Sequence, residues 1–136
     1  MSPKPSAASQ PEFFVDRSLG RSTTARLRHL NWIVHLVNDH FENDAQFVKD
    51  ESWIEYGLQR GWALLTKDQK IRYRAEELLS LAEHGKMFCL SSGNLTVEQQ
   101  ARMFEEARVH IKRAVQRHEA RFYQVYEGGR IAKRWP

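Results

Sequence analysis

The chain has 136 residues and a mass of 16.0 kDa, room for one ordinary domain but not for two. Hydrophobic residues at 41% and charged residues at 28% suit a soluble globular fold, and no apolar run approaches the roughly 18 residues of a membrane span, which excludes a transmembrane protein. A single cysteine, Cys89, excludes an intramolecular disulfide or a cysteine-built zinc cluster and fits a reducing cytoplasm.

Residues 1–11 carry Pro, Ser, Ala and Lys4 but no apolar stretch of the kind a secretory signal needs, so they read as a flexible tail before a single domain over 12–136. The run Glu12-Phe13-Phe14-Val15-Asp16 predicts a strand that ends on an acid. Arg17 to Arg21 supply a turn, and Ser22 offers a cap for a helix through Ala25, Arg26, Leu27 and Leu30. Trp32 to Leu36, aromatic and β-branched, predicts a second strand, and Asn38 to Asp44 a polar loop.

From Asp50 the period changes. Trp53, Ile54, Gly57 and Leu58 recur at helical spacing, with Gly61 placed as a stop. Trp62 to Thr66 reads as a buried strand, and Asp68 precedes the stripe Ile71, Ala75, Leu78, Leu79 and Ala82 of another helix. Lys86 to Leu90 is a fourth strand, with Cys89 packed inside it as a small hydrophobe, and Ser91 to Asn94 a turn. Thr96 and Gln99 form a capping-box pattern before one long helix whose apolar face runs Val97, Ala101, Phe104, Ala107, Ile111, Ala114 and Val115. Arg121 to Tyr126 and Arg130 to Trp135 flank Glu127-Gly128-Gly129 and predict a closing hairpin. Strands alternating with helices imply right-handed crossovers, and hence an α/β fold of three layers around a mostly parallel sheet.

Charge is unevenly placed along this scaffold. Counting Lys and Arg against Asp and Glu, residues 1–30 carry +3, residues 31–101 carry −4 and residues 102–136 carry +5. Basic flanks attract a phosphate backbone, whereas a carboxylate cluster repels it unless cations intervene. Arg102, Arg108, Lys112, Arg113 and Arg117 lie along the long helix, as a solvated face or as a strip facing RNA or a partner.

Loops leaving the carboxyl ends of parallel strands converge on one edge, and Asp16 and Asp68 belong to it. Asp50 reaches the same edge only if its helix N-terminus points there. Hard cations such as Mg²⁺ or Mn²⁺ favour carboxylates and water, and an ion so held can activate water against a phosphodiester. For Asp50 and Asp68 taken singly, helix capping is an equally good account; for Asp16, several residues short of the predicted helix, it is weaker. His40, in the acidic loop, reads as a solvated imidazole in preference to a ligand.

Three segments together carry a family resemblance: Phe13-Phe14-Val15-Asp16-Arg17-Ser18-Leu19-Gly20, Asp50-Glu51-Ser52-Trp53-Ile54, and Gly61 to Arg72 with its Thr66-Lys67-Asp68. They resemble the PIN-like domains of VapC-type toxins from bacterial toxin–antitoxin pairs. The resemblance implies a PIN-like three-layer fold and a cytoplasmic endoribonuclease dependent on Mg²⁺ or Mn²⁺. It implies Asp16, Asp50 and Asp68 as catalytic metal ligands and a fourth acid to be sought among Glu51, Glu76 and Asp39. Arg17, Lys67 and Arg72 flank these motifs, as contacts to RNA phosphates or, equally, as structural or solvating residues. It further implies a cognate antitoxin protein that covers the acidic cleft or inserts an Arg into it, with the hairpin and the helix over 96–117 as docking surfaces, and a homodimer. A PIN-like module without catalysis, binding RNA or protein, is the rival reading, and a DNA-directed nuclease a third.

Overall fold

The computed structural model describes residues 10–136, so most of the tail expected over residues 1–11 lies outside the described residues. The chain runs β1 (Glu12–Val15), α1 (Gly20–His29), β2 (Ile33–Leu36), α2 (Asp50–Gln59), β3 (Ala63–Thr66), α3 (Arg72–Leu79), β4 (Lys86–Leu90), α4 (Val97–Glu106), α5 (Arg108–Val115), β5 (Arg121–Val125) and β6 (Ile131–Trp135). Six strands form one sheet in the order β2-β1-β3-β4-β5-β6, all parallel except β6, which turns back against β5. The expected α/β architecture is the observed one.

Burial on both faces explains why the central strands read as continuous apolar runs and do not alternate. All four residues of β3 and all five of β4 are buried. Alternate residues then serve opposite layers. Phe13, Val15, Leu65, Phe88 and Tyr123 pack with Leu27 of α1, Phe104 of α4 and Ile111 of α5. Phe14, Leu64, Met87 and Phe122 pack with Trp53 and Ile54 of α2 and Ala75 and Leu79 of α3. Among the described residues no helix is long and apolar enough to cross a membrane.

Three expectations need correction. α1 begins at Gly20, whose φ of +77° makes the turn into the helix, so Ser22 lies inside the helix and the cap position falls to Leu19 without a side-chain bond. The helix after β3 is preceded by a 3-10 turn at Gln69–Ile71 and spans only Arg72–Leu79. The long helix is two helices. The Thr96–Gln99 capping box starts α4 as expected, but the chain leaves helical geometry at Ala107 and restarts as α5.

The cause of this break comes from the far end of the sequence. The turn at Glu127–Gly129 docks there: the Gly128 amide donates to Glu106 Oε1 at 3.2 Å, and a Cβ on Gly129 would meet the Glu106 carbonyl oxygen at 2.6 Å. Gly129, at φ +85°, is the residue that permits this approach. The apolar stripe runs on across the break, which is why spacing alone reads one helix.

A candidate acidic active site at the switch in strand order

β1 is followed in space by β2 on one side and by β3 on the other, so strand order reverses between β1 and β3. Open α/β sheets place ligands in the crevice beyond the strand ends at such a point. Asp16 follows the last residue of β1 and Asp68 lies two residues beyond β3, one on each side of the crevice. Because α2 leads back to the start of parallel β3, its first residue, Asp50, lies at the same edge. Asp16, Asp50 and Asp68 line one open cleft of about 480 Å³ together with Arg17, Ser18 and Asn38.

Asp16 is 7% exposed. Its Oδ2 accepts hydrogen bonds from Ser18 Oγ at 2.9 Å and Thr66 Oγ1 at 2.6 Å, and its amide donates to the Leu65 carbonyl at 2.9 Å. Burial pushes its carboxyl above the ordinary range; the Thr66 and Ser18 donors oppose this and the negative charge of Asp50 adds to it. Asp50 does not cap its helix. Lys49 holds the cap position without a side-chain bond, and Asp50 Oδ1 accepts from Trp53 Nε1 at 3.1 Å. Asp68 does cap, accepting from the Lys70 amide at 3.0 Å through Oδ1, and its own amide donates to Thr66 Oγ1 at 3.0 Å. For Asp50 and Asp68 these bonds engage Oδ1 and leave Oδ2 outside them, whereas Asp16 accepts from the Ser18 backbone amide as well.

Asn38, in the 3-10 turn just beyond β2, carries no sequence signal beyond that of a loop residue. It is 8% exposed, lines the cleft, and donates through Nδ2 to Asp44 Oδ2 at 3.0 Å, while its buried Oδ1 has no partner. The loop around it is held by Arg21, which bonds Asp39 at 3.1 Å and Asp44 at 2.5 Å, and by Arg17 Nε donating to the Asp44 carbonyl at 3.2 Å. Asn43, Asp44 and Ala45 all adopt positive φ, unusual for three successive residues with side chains, and these bonds hold them there. Phe47 follows, 76% exposed, between the cleft residues Gln46 and Val48. A sequence signal existed for it: an aromatic residue in a polar loop with no apolar stripe to join.

None of the three candidates for a fourth acid lines the cleft. Glu51 pairs with Arg74 at 3.0 Å, Glu76 with Arg72 at 2.7 Å, and Asp39 with Arg21. Arg72 also donates to the Arg134 carbonyl at 2.7 Å, so its guanidinium ties α3 to β6. Of the three basic residues expected near phosphate, Arg17 lines the cleft. Lys67 is half-buried beside Asp68, outside the cleft lining. His40 is not a solvated imidazole: Nδ1 lies 3.0 Å from the Tyr56 hydroxyl, its ring packs edge-on to Phe14, and burial lowers its pKa.

The donor set suits a hard cation of the Mg²⁺ class. Among the described residues no group of three His, Cys, Asp or Glu side chains closes as a ready-made cage. Mg²⁺ commonly needs none, being held by one or two carboxylates with waters and a substrate phosphate. Asp16, Asp50 and Asp68 offer carboxylates in one cleft, and Asn38, which lines the same cleft, carries a buried Oδ1 without a partner, an acceptor that a hydrated ion's water would satisfy.

Comparison with the curated proteins and with the solved structures gives no match. The family model for the PIN like domain matches residues 11–92, more than half of the chain and a stretch that runs from β1 past β4 and holds all three aspartates. The chain therefore belongs to the PIN-like domain family.

Proposed function

We propose that the protein is a divalent-metal-dependent endoribonuclease toxin of the VapC type, hydrolysing RNA phosphodiester bonds in the cytoplasm and neutralised by a cognate antitoxin. Domains of its family are generally nucleases. The single observation that carries the reading further is the meeting of three aspartates, from three separate segments, in one cleft at the reversal of strand order.

Asp16, Asp50 and Asp68 would hold Mg²⁺ or Mn²⁺, which when bound supplies Lewis acidity at the phosphate and a lowered pKa for water. The chain's own residues do the rest. Ser18 and Thr66 fix the Asp16 carboxylate, Trp53 orients Asp50, and the Lys70 amide orients Asp68. Arg17, on the cleft wall, meets the phosphate charge, and Phe47 offers an exposed ring on which an unpaired base can stack. An antitoxin that closes this cleft, or lends it an Arg, would silence it by cancelling the carboxylate charge, and a homodimer is proposed with it.

The test is RNA cleavage by antitoxin-free protein with EDTA, Mg²⁺ or Mn²⁺, repeated with Asp16→Asn and Asp68→Asn. Metal-dependent cleavage lost in both variants is expected; equal cleavage throughout would overturn the proposal. A module that binds RNA or protein without cleaving is the second reading, favoured by the placement of Glu51, Glu76 and Asp39 outside the cleft. RNA affinity without metal-stimulated cleavage would select it, and parallel DNA substrates test the choice of sugar.

A further inference from the structure

A second polar pocket, of about 390 Å³, lies between α5, β5 and β6. It falls beyond residue 92, outside the segment matched by the family model. We propose that it is a phosphate-binding site for a single-stranded RNA backbone, separate from the acidic cleft and independent of divalent metal.

Its construction follows from periodicity on three elements. His110, Arg113 and Arg117 are spaced by three and four, which places them along one side of α5 and the turn beyond it. Arg121 and Tyr123 alternate onto one face of β5, and Lys133 of β6 is the registered partner of Tyr123, so it shares that face. Four cations thus meet around a tyrosine.

Counter-charge is sparse. Arg121 pairs with Glu119 at 2.6 Å, and its Nε has no acceptor. Arg113, Arg117 and Lys133 form no ion pair among the described residues, and all three are exposed. Like charges one helical turn apart repel, so the cluster costs stability unless an anion occupies it. Burial raises the pKa of the Tyr123 phenol, with the nearby arginines opposing, and no hydrogen bond to its hydroxyl is found among the described residues. Tyr123 lines the pocket, so its hydroxyl has a donor to offer an anion bound there. Three guanidiniums and a hydroxyl suit the oxygens of a phosphodiester, which arginine can engage through two parallel bonds.

Position separates this site from the cleft. Tyr123 stands level with Val15 in the sheet but three strands away, about 14 Å at 4.8 Å per strand. It faces the α1, α4 and α5 layer, whereas Val37, Ala45 and Trp53 of the cleft belong to the α2 and α3 layer. Phosphate bound here cannot be the phosphate at the aspartates.

The experiment measures anisotropy of a labelled single-stranded RNA in EDTA, which removes any contribution from a metal-loaded cleft. The triple variant Arg113→Ala, Arg117→Ala, Lys133→Ala is compared with Arg26→Ala, Arg102→Ala, Lys112→Ala, which removes equal charge elsewhere. The pocket variant is expected to lose at least tenfold in affinity and to flatten the dependence of log K on log salt by about 2, near 0.7 per lost phosphate contact; the control is expected to lose under threefold. Circular dichroism confirms that both are folded, and the single charge reversal Arg117→Glu repeats the loss should the triple variant misfold. Equal losses in the two triple variants would overturn the proposal, because net charge alone would then account for binding. So would tighter, pocket-dependent binding of a poly-glutamate peptide, which would assign the surface to an acidic protein. Loss of RNA affinity with metal-dependent cleavage of a short oligonucleotide retained separates this site from the nuclease reading. Failure of cleavage with pocket-dependent binding intact would sink that reading and leave this one.

Discussion

The hydroxyl of Thr66 joins two of the aspartates: it donates to Asp16 Oδ2 at 2.6 Å and accepts from the amide of Asp68 at 3.0 Å. Thr66 is fully buried at the end of β3, so neither bond is easily replaced by water. Thr66→Val keeps the shape and removes both. A buried hydrogen bond to a charged group is worth about 1.5–3 kcal/mol, and stability measured by urea denaturation is expected to fall by that order. Thr66→Ser, which retains the hydroxyl, is expected to recover most of it. An unchanged urea midpoint in the valine variant would show that this link does not hold the site together.

Asp50 depends on a different device. Gly57, inside α2, faces the sheet so closely that a Cβ there would meet Leu64 Cδ2 and Phe14 Cδ2 at 2.7 Å. This missing side chain lets α2 lie against β1 and β3 with Asp50 at the cleft. Gly57→Ala gains about 1 kcal/mol of helix propensity but pays about 1–3 kcal/mol for overpacking. The expected net result is a loss of about 1 kcal/mol and, because α2 must shift, weaker binding of the proposed Mg²⁺ by isothermal titration calorimetry. An affinity equal to wild type would mean that Asp50 is positioned independently of this contact.

Most of the fold is legible in sequence because burial on both faces writes each central strand as an apolar run, while each helix carries its own stripe. Asp16 and Asp68 are legible for the same reason: an acid directly beyond such a run belongs to the edge of a parallel sheet. Asp50 is less so, since its place depends on the direction of α2, a tertiary fact. The break at Ala107 is invisible locally because its cause, the approach of Gly129 to Glu106, comes from more than twenty residues away. Asn38 is hidden by its polarity, which reads as loop, and the pairing of Glu51 with Arg74 and of Asp39 with Arg21 joins residues far apart in the chain, which spacing does not reveal.

Burial of Asp16 beside Asp50 also sets how the proposed metal ion would act on stability. In metal-free protein the Asp16 charge is held against desolvation, so Asp16→Asn is expected to melt at a slightly higher temperature than wild type. Mg²⁺ at ten times its dissociation constant should raise wild-type stability by about 1.4 kcal/mol and leave the variant unmoved. Differential scanning calorimetry with and without Mg²⁺ checks both signs, and equal stabilisation of the two proteins would place the ion away from Asp16.

Cys89 tests the packing of the sheet's centre. It is buried in β4, and burial, reinforced by the charges of Asp68 and Asp16, pushes its thiol up to about 12. Thiolate is the reactive form, so alkylation by iodoacetamide at pH 8 is expected only as fast as the protein opens. Labelling followed by mass spectrometry should show protection in buffer and complete modification in urea. Rapid labelling of folded protein would mean that β4 is exposed.

Lys86 gives the alkaline counterpart. It is 2% exposed at the start of β4, where Nζ donates to the carbonyls of His84 at 3.0 Å and Arg117 at 2.7 Å, and burial lowers its pKa to about 8 from 10.5. Between those values the unfolded chain holds the proton more tightly than the folded one. Stability therefore rises with pH across this window, by less than the limiting ~1.4 kcal/mol per pH unit. Below pH 8 the lysine is charged in both states and adds no slope. The Cys89 thiol, whose pKa is raised on folding, acts in the opposite sense above pH 9, but it is common to wild type and Lys86→Met and cancels in their difference. Urea denaturation of both proteins at pH 7, 8, 9 and 10 should show wild type gaining on the variant only above pH 8. A flat difference would mean that water reaches the ammonium and leaves it at its ordinary pKa.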